Sequence, residues 1–182
     1  SDKPKVELFV MSYCPYGTQA EKAMIPAVEA LGNKIDFNVR FVHYTMHGEK
    51  EDTENFRQLC IREEQPSKYL NYLSCFLEAG NSASCLSKYS LNVDNCVANK
   101  AKDYYAADSK SSQGYEVQGS PTLIINGIET SFDRSPAGAL TAICSAFNTA
   151  PSECSTKLST SAESPGFGSS SVTTDNSGGS CG

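Results

Sequence analysis

The sequence predicts an α/β fold in which a central mixed sheet is flanked by helices and carries an all-helical insert. Three observations lead to this prediction. The first 42 residues contain strand-like, helical and strand-like segments in turn. Residues 49–110 contain no strand-like segment, and an Asn-Gly turn later in the chain joins two further strand-like segments. Such a succession of elements is typical of α/β domains.

The first unit is a strand, a tight turn and an amphipathic helix, followed by a second strand. The short apolar run over 6–11 is typical of a strand buried on both faces. After Cys14, apolar residues recur at helical spacing, and Gly32 stands where a helix C-cap is expected. Residues 35–41 then alternate between apolar and polar, which predicts a half-buried strand.

The middle of the chain is predicted to be a helical insert. Residues 49–110 contain patterns for three or four short helices and lie within one domain that we expect to span 1–154. From residue 155 onward, 18 of the 28 residues are Ser, Thr or Gly. Such a segment has too little apolar surface to offset the entropy of ordering, so 155–182 is predicted to be a flexible tail.

The late part of the domain is predicted to be a hairpin and a last helix. Segments 122–126 and 128–132 flank Asn126-Gly127, a dipeptide suited to a two-residue hairpin turn. Ser135 is a suitable N-cap and precedes a proline, which is favoured as a first helical residue. A helix that packs on the sheet is therefore expected to follow the hairpin.

Composition and charge exclude some classes of function. The 182 residues carry a net charge of −6, and no basic stripe is available to neutralise phosphates. Nucleic acid is therefore not expected as a partner. The sequence has no run of 18 apolar residues, and its first residues lead directly into a strand. We expect a mature form that has lost its targeting segment and contains no transmembrane segment.

The eight cysteines indicate an oxidising compartment, so the protein is expected to be periplasmic, on the cell surface or secreted. Successive cysteines are 46, 15, 10, 11, 48, 10 and 27 residues apart, which does not provide the close pairs that structural zinc requires. Disulfides are predicted, with no metal and no cofactor. His43, Met46 and His47 could suit copper, but we favour two solvated loop histidines.

Cys14 is the cysteine placed for chemistry. It stands where the first predicted helix begins, next to Pro15 and Tyr16. Unpaired backbone N–H groups and the positive end of the helix dipole stabilise a thiolate at such a position. We therefore expect Cys14 to be a reactive nucleophile, the alternative being an inert buried cysteine at the end of a strand.

Two segments together resemble a known family. The strand-Cys-Pro-helix pattern early in the chain, with Val117-Gln118-Gly119-Ser120-Pro121-Thr122 before the hairpin, resembles the thioredoxin superfamily and, within it, the DsbA-like thiol-disulfide oxidoreductases with a helical insert. The resemblance covers 5–42 and 115–148. The cysteine-bearing insert is similar, more weakly, to that of the gamma-interferon-inducible lysosomal thiol reductases.

The resemblance implies roles for particular residues. Pro121 would be cis, would lie beside the reactive cysteine, and would leave the backbone at Ser120 free to pair with an extended peptide substrate. Pro15 and Tyr16 would help to form the same peptide-binding surface. The alternative for Pro121 is an ordinary trans proline at the start of a strand.

The chain departs from the family pattern at one position. The C-x-x-C motif reads Cys14-Pro15-Tyr16-Gly17, with glycine where the resolving cysteine belongs. A mixed disulfide between Cys14 and a substrate would therefore persist until another thiolate attacked it. That thiol must come from another molecule or from elsewhere in this chain.

The remaining cysteines suggest a candidate for that thiol. The four cysteines of the insert allow three pairings. The structural disulfides that we favour are Cys75 with Cys85, Cys60 with Cys96, and Cys144 with Cys154. This leaves Cys14 and Cys181. The tail from residue 155 has a reach of roughly 27 Å, against a domain radius of gyration of about 15 Å, so Cys181 can visit Cys14.

The leading hypothesis is an extracytoplasmic thiol-disulfide oxidoreductase in which Cys14 attacks protein thiols or disulfides and Cys181 resolves the mixed disulfide. Its partners would be cysteine-containing proteins or peptides and a redox partner that exchanges electrons with it. An alternative role for Cys181 is to link two chains or to react with a small thiol. The alternative functions are a peptide-binding or client-binding module without turnover, a monothiol glutaredoxin-like enzyme and a copper-binding protein.

Overall fold

A four-stranded mixed sheet lies at the centre of the protein. The structure, a computed structural model, describes residues 2–169 and 178–182. The strands are β1 (Lys5–Val10), β2 (Asp36–Phe41), β3 (Thr122–Ile125) and β4 (Ile128–Glu129). Their order is β2-β1-β3-β4. β1 is parallel to β2 and antiparallel to β3, which in turn is antiparallel to β4. This confirms the predicted mixed sheet.

Seven α-helices surround the sheet in the described part of the chain. They are α1 (Pro15–Leu31), α2 (Glu49–Glu64), α3 (Tyr69–Ala79), α4 (Ser82–Lys88), α5 (Asp94–Asn99), α6 (Ala101–Gly114) and α7 (Pro136–Cys144). Helices α2 to α6 form the segment between β2 and β3, so it holds five helices where the sequence predicts three or four. None of the helices in the described ranges is both long and apolar enough to cross a membrane.

Strand β1 contributes side chains to both faces of the sheet, because successive residues of a strand point in opposite directions. Three of its residues are fully buried in the larger core cluster, together with side chains of α1: Val6, Leu8 and Val10. Phe9 points to the other face, and so does Met11, which directly follows β1. They belong to a second cluster that also contains Cys14 and Cys181. β1 therefore connects the main core to the region of Cys14.

Helix α1 is continuous, although Pro26 lies inside it. It ends at Gly32, as the sequence predicts. Gly32 has a φ of 54°, and its N–H donates to the carbonyl oxygen of Val28. Glycine suits this position because side chains disfavour a positive φ. The helix packs most extensively against α7.

The late hairpin is shorter than the sequence predicts. Asn126 and Gly127 form the turn with φ values of 51° and 81°. β4, however, ends at Glu129 rather than at Phe132. β4 is an edge strand, and its first residue, Ile128, is 69% exposed, whereas Phe132 packs against the main core outside the strand. The chain then turns into α7, which Ser135 caps as predicted by accepting a hydrogen bond from the third residue of the helix.

A buried ion cluster ties the helical segment to the sheet. Asp108 of α6 is fully buried, and its carboxylate accepts two hydrogen bonds from Arg62, at 2.7 and 3.0 Å. It also accepts hydrogen bonds from Arg40 at 3.2 Å and from the N–H of Phe41 at 2.9 Å. One carboxylate thus bridges two guanidinium groups and also accepts a hydrogen bond from the backbone at the outer edge of β2.

We predict that Asp108→Asn lowers the free energy of unfolding by about 3 kcal/mol or more, because it removes the buried counter-charge of Arg62 and leaves only the more exposed Glu63. Urea unfolding of the disulfide-intact protein measures this change. Asp103→Asn, an exposed position on the same helix, is the matched control and should change stability by less than about 0.5 kcal/mol. Equal unfolding midpoints for the two variants would contradict the prediction.

Candidate active site

Cys14 lies at the N-terminus of α1, where it is the N-cap residue. Its Sγ accepts a hydrogen bond from the N–H of Gly17 at 3.3 Å, and the sulfur is 3.4 Å from the carbonyl oxygen of Ser120. The residue is fully buried. The unpaired N–H groups of the first turn and the helix dipole favour negative charge at this sulfur. The position is therefore one at which a thiolate would be stabilised.

Cys14 forms a disulfide with Cys181, 167 residues away in sequence. Cys181 also pairs with Ser120 as an isolated antiparallel bridge. The N–H of each residue donates to the carbonyl oxygen of the other, and both hydrogen bonds are 2.9 Å long. The tail cysteine is thus bonded to Cys14 and paired through its backbone with the residue before Pro121.

The Ser120–Pro121 peptide bond is cis, as the resemblance implied. The hydroxyl of Ser120 accepts a hydrogen bond from the N–H of Met11 at 2.9 Å, which connects this loop to the end of β1. A Cβ added to Gly17 would lie only 2.6 Å from that hydroxyl. Ser120 therefore occupies space that a side chain at the fourth motif position would need.

The other two residues predicted for the peptide-binding surface also lie at this site. Pro15 is exposed at the first position of α1, and its carbonyl oxygen accepts a hydrogen bond from Gly166. Tyr16 is half-buried and packs against the second cluster. Its ring lies against the backbone of Gly179, so tight that a Cβ on this glycine would overlap it. The structure thus brings Pro15, Tyr16, Ser120 and Pro121 together around the Cys14–Cys181 bond.

The turn that precedes Cys14 is held by α2. The N–H of Tyr13 donates to Glu51 at 2.9 Å, and the N–H of Ser12 donates to Asn55 at 3.2 Å. Glu51 and Asn55 are buried and lie one turn apart. Sequence reasoning missed both residues, because acidic side chains in the first turn of a helix are ordinarily explained by the helix dipole. The one signal in the sequence was the i, i+4 spacing of Glu51 and Asn55, which places both side chains on the same face of a helix.

Arg134 is a further residue that sequence reasoning missed. It is 8% exposed, and one of its terminal nitrogens donates to the carbonyl oxygen of Gly179 at 2.5 Å and to Gln19 at 3.1 Å. It therefore holds the backbone of the tail two residues before Cys181. Nothing local in the sequence indicates this contact, since the two residues are 45 positions apart.

Residues 155–169, which their composition predicts to be flexible, make specific contacts with the domain. The ammonium group of Lys22 donates to the carbonyl oxygens of Ser164 at 2.7 Å and Gly168 at 2.6 Å. Phe167 packs edge-on against Phe76, with ring centroids 5.2 Å apart, and covers Gly80 at the end of α3. This part of the tail is held along α1 and α3, up to residue 169. Residues 170–177 of the predicted tail lie outside the described residues.

The other six cysteines form three disulfides in the structure. The bonds join Cys60 with Cys96, Cys75 with Cys85, and Cys144 with Cys154. They are the pairs that the sequence analysis favours. The first two lie within the helical segment and the third closes the end of α7, so none of them includes a residue of the site around Cys14.

The two histidines make hydrogen bonds to protein side chains. Nδ1 of His43 lies 2.8 Å from the hydroxyl of Ser112, and Nδ1 of His47 lies 2.8 Å from Glu51. Met46 is 54% exposed. Among the described residues, no group of three or more His, Cys, Asp or Glu side chains is placed to hold a metal ion.

A buried carboxyl lies on α1 about two turns beyond Cys14. Glu21 is 1% exposed, and in the described part of the chain its Oε2 has no hydrogen-bond partner. Burial, with a smaller contribution from Glu54, raises the pKa of Glu21 to about 8. Burial also raises the pKa of Glu54, although Tyr72 donates a hydrogen bond to it. Glu21 therefore stays protonated at neutral pH.

The fold and the site define a DsbA-like thioredoxin-fold protein with one cysteine in its motif and a second supplied by the tail. Solved structures with this fold include oxidised DsbA from Mycobacterium tuberculosis, with a TM-score of 0.64 and 14% identity over 84% of this chain and 87% of that one. A second is MdbA, a thiol-disulfide oxidoreductase from Actinomyces oris, with a TM-score of 0.58 and 14% identity over 82% and 84%.

A third similar structure is oxidised BdbD from Bacillus subtilis, with a TM-score of 0.59 and 12% identity over 79% of this chain and 86% of that one. No protein-family model matches the chain, and no curated protein matches it either. At these identities the likeness establishes the DsbA-like thioredoxin fold, as the sequence predicts.

Proposed function

We propose that this protein is an extracytoplasmic thiol-disulfide oxidoreductase that acts on protein thiols or disulfides, with Cys14 as the attacking thiol and Cys181 as the resolving thiol. The observation that carries the proposal is the Cys14–Cys181 disulfide at the N-terminus of α1, beside the cis Pro121. Its fold is shared with proteins named as a thiol-disulfide oxidoreductase and as a disulfide bond oxidoreductase. The pairing of all eight cysteines supports an oxidising compartment.

Each turnover consists of two thiol-disulfide exchanges. In the reduced protein the Cys14 thiolate attacks one sulfur of a substrate disulfide. A bond between Cys14 and that sulfur forms, the substrate disulfide breaks, and the other substrate sulfur leaves as a thiolate that takes up a proton. The Cys181 thiolate then attacks Cys14, forms the Cys14–Cys181 bond and releases the second substrate thiol. The substrate gains two electrons and the protein loses two; the reverse sequence oxidises a substrate.

Resolution and substrate release are one step at this site. The tail strand uses both backbone hydrogen-bonding groups of Ser120, the groups that an extended substrate would also use. The tail and a substrate therefore cannot pair with Ser120 at the same time. When Cys181 attacks, docking of the tail displaces the substrate strand. An external thiol or disulfide is needed to reset the protein for the next cycle.

We expect Cys14 and Cys181 to open together in a redox titration, before the other three disulfides do. The reason is that the N-terminus of α1 stabilises the Cys14 thiolate and therefore the reduced form, whereas the other six cysteines lie outside this position. The protein is equilibrated with graded ratios of reduced to oxidised dithiothreitol, alkylated and mapped by mass spectrometry.

The same titration can also contradict the proposed function. If the Cys14–Cys181 bond opens last, or if neither cysteine exchanges with the buffer, the redox proposal fails. A peptide-binding module without turnover would then better explain the exchangeable backbone pairing at Ser120. The Cys75–Cys85 bond is the internal control, because it should remain intact while Cys14 and Cys181 become alkylated.

A further inference from the structure

The last four described residues of the tail lie at the site, where Cys181 forms an isolated antiparallel bridge with Ser120. Cys181 is paired with Ser120 through two backbone hydrogen bonds and bonded covalently to Cys14. A substrate cysteine in the mixed disulfide would need the same bond and could use the same backbone groups. The contacts of the tail residues therefore indicate which residues the site can accommodate on either side of a substrate cysteine.

The position two residues before the cysteine has room for glycine alone. Gly179 lies against the ring of Tyr16, and a Cβ there would overlap three ring atoms. Arg134 donates to the carbonyl oxygen of Gly179 at 2.5 Å, so the backbone is held in place and cannot easily shift away from the ring. A larger residue at this position would require Tyr16 to move.

The position after the cysteine also requires glycine. Gly182 has a φ of 96°, which residues with a side chain rarely adopt, and a Cβ there would overlap the hydroxyl of Tyr44. Tyr44 packs edge-on against His43, with ring centroids 4.9 Å apart, and His43 is hydrogen-bonded to Ser112. The Tyr44 side chain is therefore restrained from rotating away from Gly182.

The residue between Gly179 and the cysteine passes close to the loop before Pro121. A Cβ added to Gly119 would lie 2.6 Å from the hydroxyl of Ser180 and 2.9 Å from the carbonyl oxygen of Cys181. Gly119 thus allows the tail backbone to approach this closely, whereas the side chain of Ser180 itself is exposed.

We propose that the substrates of this site are extended protein segments of the form Gly-X-Cys-Gly, and that Tyr16 and Tyr44 select the two glycines. This inference rests on the proposed function, since it names the substrate class of the same site. The tail, with Gly179-Ser180-Cys181-Gly182, is the intramolecular example of that class.

The test uses the full chain with Cys181→Ser, so that the tail cannot compete as a disulfide, and three peptides. Each peptide carries its cysteine as a mixed disulfide with thionitrobenzoate, and they contain Gly-Ser-Cys-Gly, Leu-Ser-Cys-Gly or Gly-Ser-Cys-Leu. The Cys14 thiolate attacks the peptide sulfur, a Cys14–peptide disulfide forms, and thionitrobenzoate leaves as a coloured thiolate. Its release gives the rate for each peptide.

We expect the Gly-Ser-Cys-Gly peptide to react about tenfold faster or more than either leucine peptide, because each leucine must displace a packed tyrosine. Adding Tyr16→Ala should restore the rate of Leu-Ser-Cys-Gly alone, and adding Tyr44→Ala that of Gly-Ser-Cys-Leu alone. Tyr104→Ala, a tyrosine of α6 outside the site, is the control and should restore neither.

The outcomes separate this inference from the proposed function. Equal rates for all three peptides would overturn the substrate class while leaving Cys14 as a reactive nucleophile. The inference would also be overturned if Tyr16→Ala and Tyr44→Ala each raised the rates of all three peptides equally. Selection would then not lie at the individual positions. No thionitrobenzoate release from any peptide would overturn the proposed function itself. The three peptides decide the question even if a tyrosine variant does not fold.

Discussion

Replacing Cys14 with serine should reduce thiol-disulfide exchange by about a thousandfold or more, because a hydroxyl at the N-terminus of α1 cannot act as the nucleophile. The measurement is the reduction of a peptide disulfide labelled with a self-quenching pair of fluorophores, with a small external thiol to reset the protein. A Cys14→Ser protein that retained the parental rate would show that exchange takes place at another cysteine.

The Cys181→Ser protein should behave differently from the Cys14→Ser protein. Its Cys14 still attacks, but the mixed disulfide persists and accumulates to one equivalent, which intact-mass spectrometry detects. Steady turnover should fall about tenfold or more when the external thiol is kept well below millimolar, the effective concentration expected of a tethered thiol. Undiminished turnover would remove Cys181 from the mechanism and leave Cys14 in it.

A matched control for both variants removes a disulfide that lies outside the site. The double variant Cys144→Ser with Cys154→Ser opens a short loop at the end of α7. It should lose stability, because the unfolded chain gains conformational freedom, but its exchange rate in the folded state should remain that of the parent. The comparison separates the loss of a reactive thiol from the loss of a structural bond.

Replacing Glu21 with glutamine should change how stability depends on pH. The folded protein keeps a proton on Glu21 up to a pKa of about 8, whereas the ordinary value is 4.5. The unfolded chain therefore releases this proton at a lower pH than the folded protein does. As the pH rises from 4.5 towards 8, the carboxyl increasingly favours the unfolded state, by up to about 1.4 kcal/mol per pH unit.

Glutamine carries no proton that the unfolded chain can release, so the variant should lack this contribution. We expect the two proteins to have similar stability near pH 4.5, and the variant to be more stable by about 5 kcal/mol above pH 8. Urea unfolding at several pH values measures the difference. Glu29→Gln, an exposed position on the same helix, is the control and should follow the parent at every pH. Parallel curves for parent and Glu21→Gln would contradict the prediction.

Local sequence patterns were sufficient to predict most of the fold. The apolar run of β1, the helical spacing that ends at Gly32 and the capping residue Ser135 each act through contacts within a few residues, so they can be recognised in the sequence. The hairpin shows the limit of such patterns. Alternation predicts a strand to Phe132, but β4 ends at Glu129 at the edge of the sheet, and Phe132 packs against the core outside the strand.

The candidate site could be predicted in part. The position of Cys14 before a helix and the glycine at position 17 identify a lone motif cysteine, and counting the remaining cysteines points to Cys181. The residues that hold the site could not be recognised in this way. Glu51 bonds the turn before Cys14 from 38 residues away, and Arg134 bonds the tail from 45 residues away, so neither contact leaves a local pattern.

The sequence by itself determined the elements, their order and the chemistry available, because periodicity, capping and the type of side chain are local properties. Only the tertiary structure decided that Cys181 occupies the strand edge at Ser120, and that Tyr16 and Tyr44 close on its glycine neighbours. These contacts join residues that are far apart in the chain. They depend on the way the sheet, α1 and the tail pack in three dimensions, which no local pattern encodes.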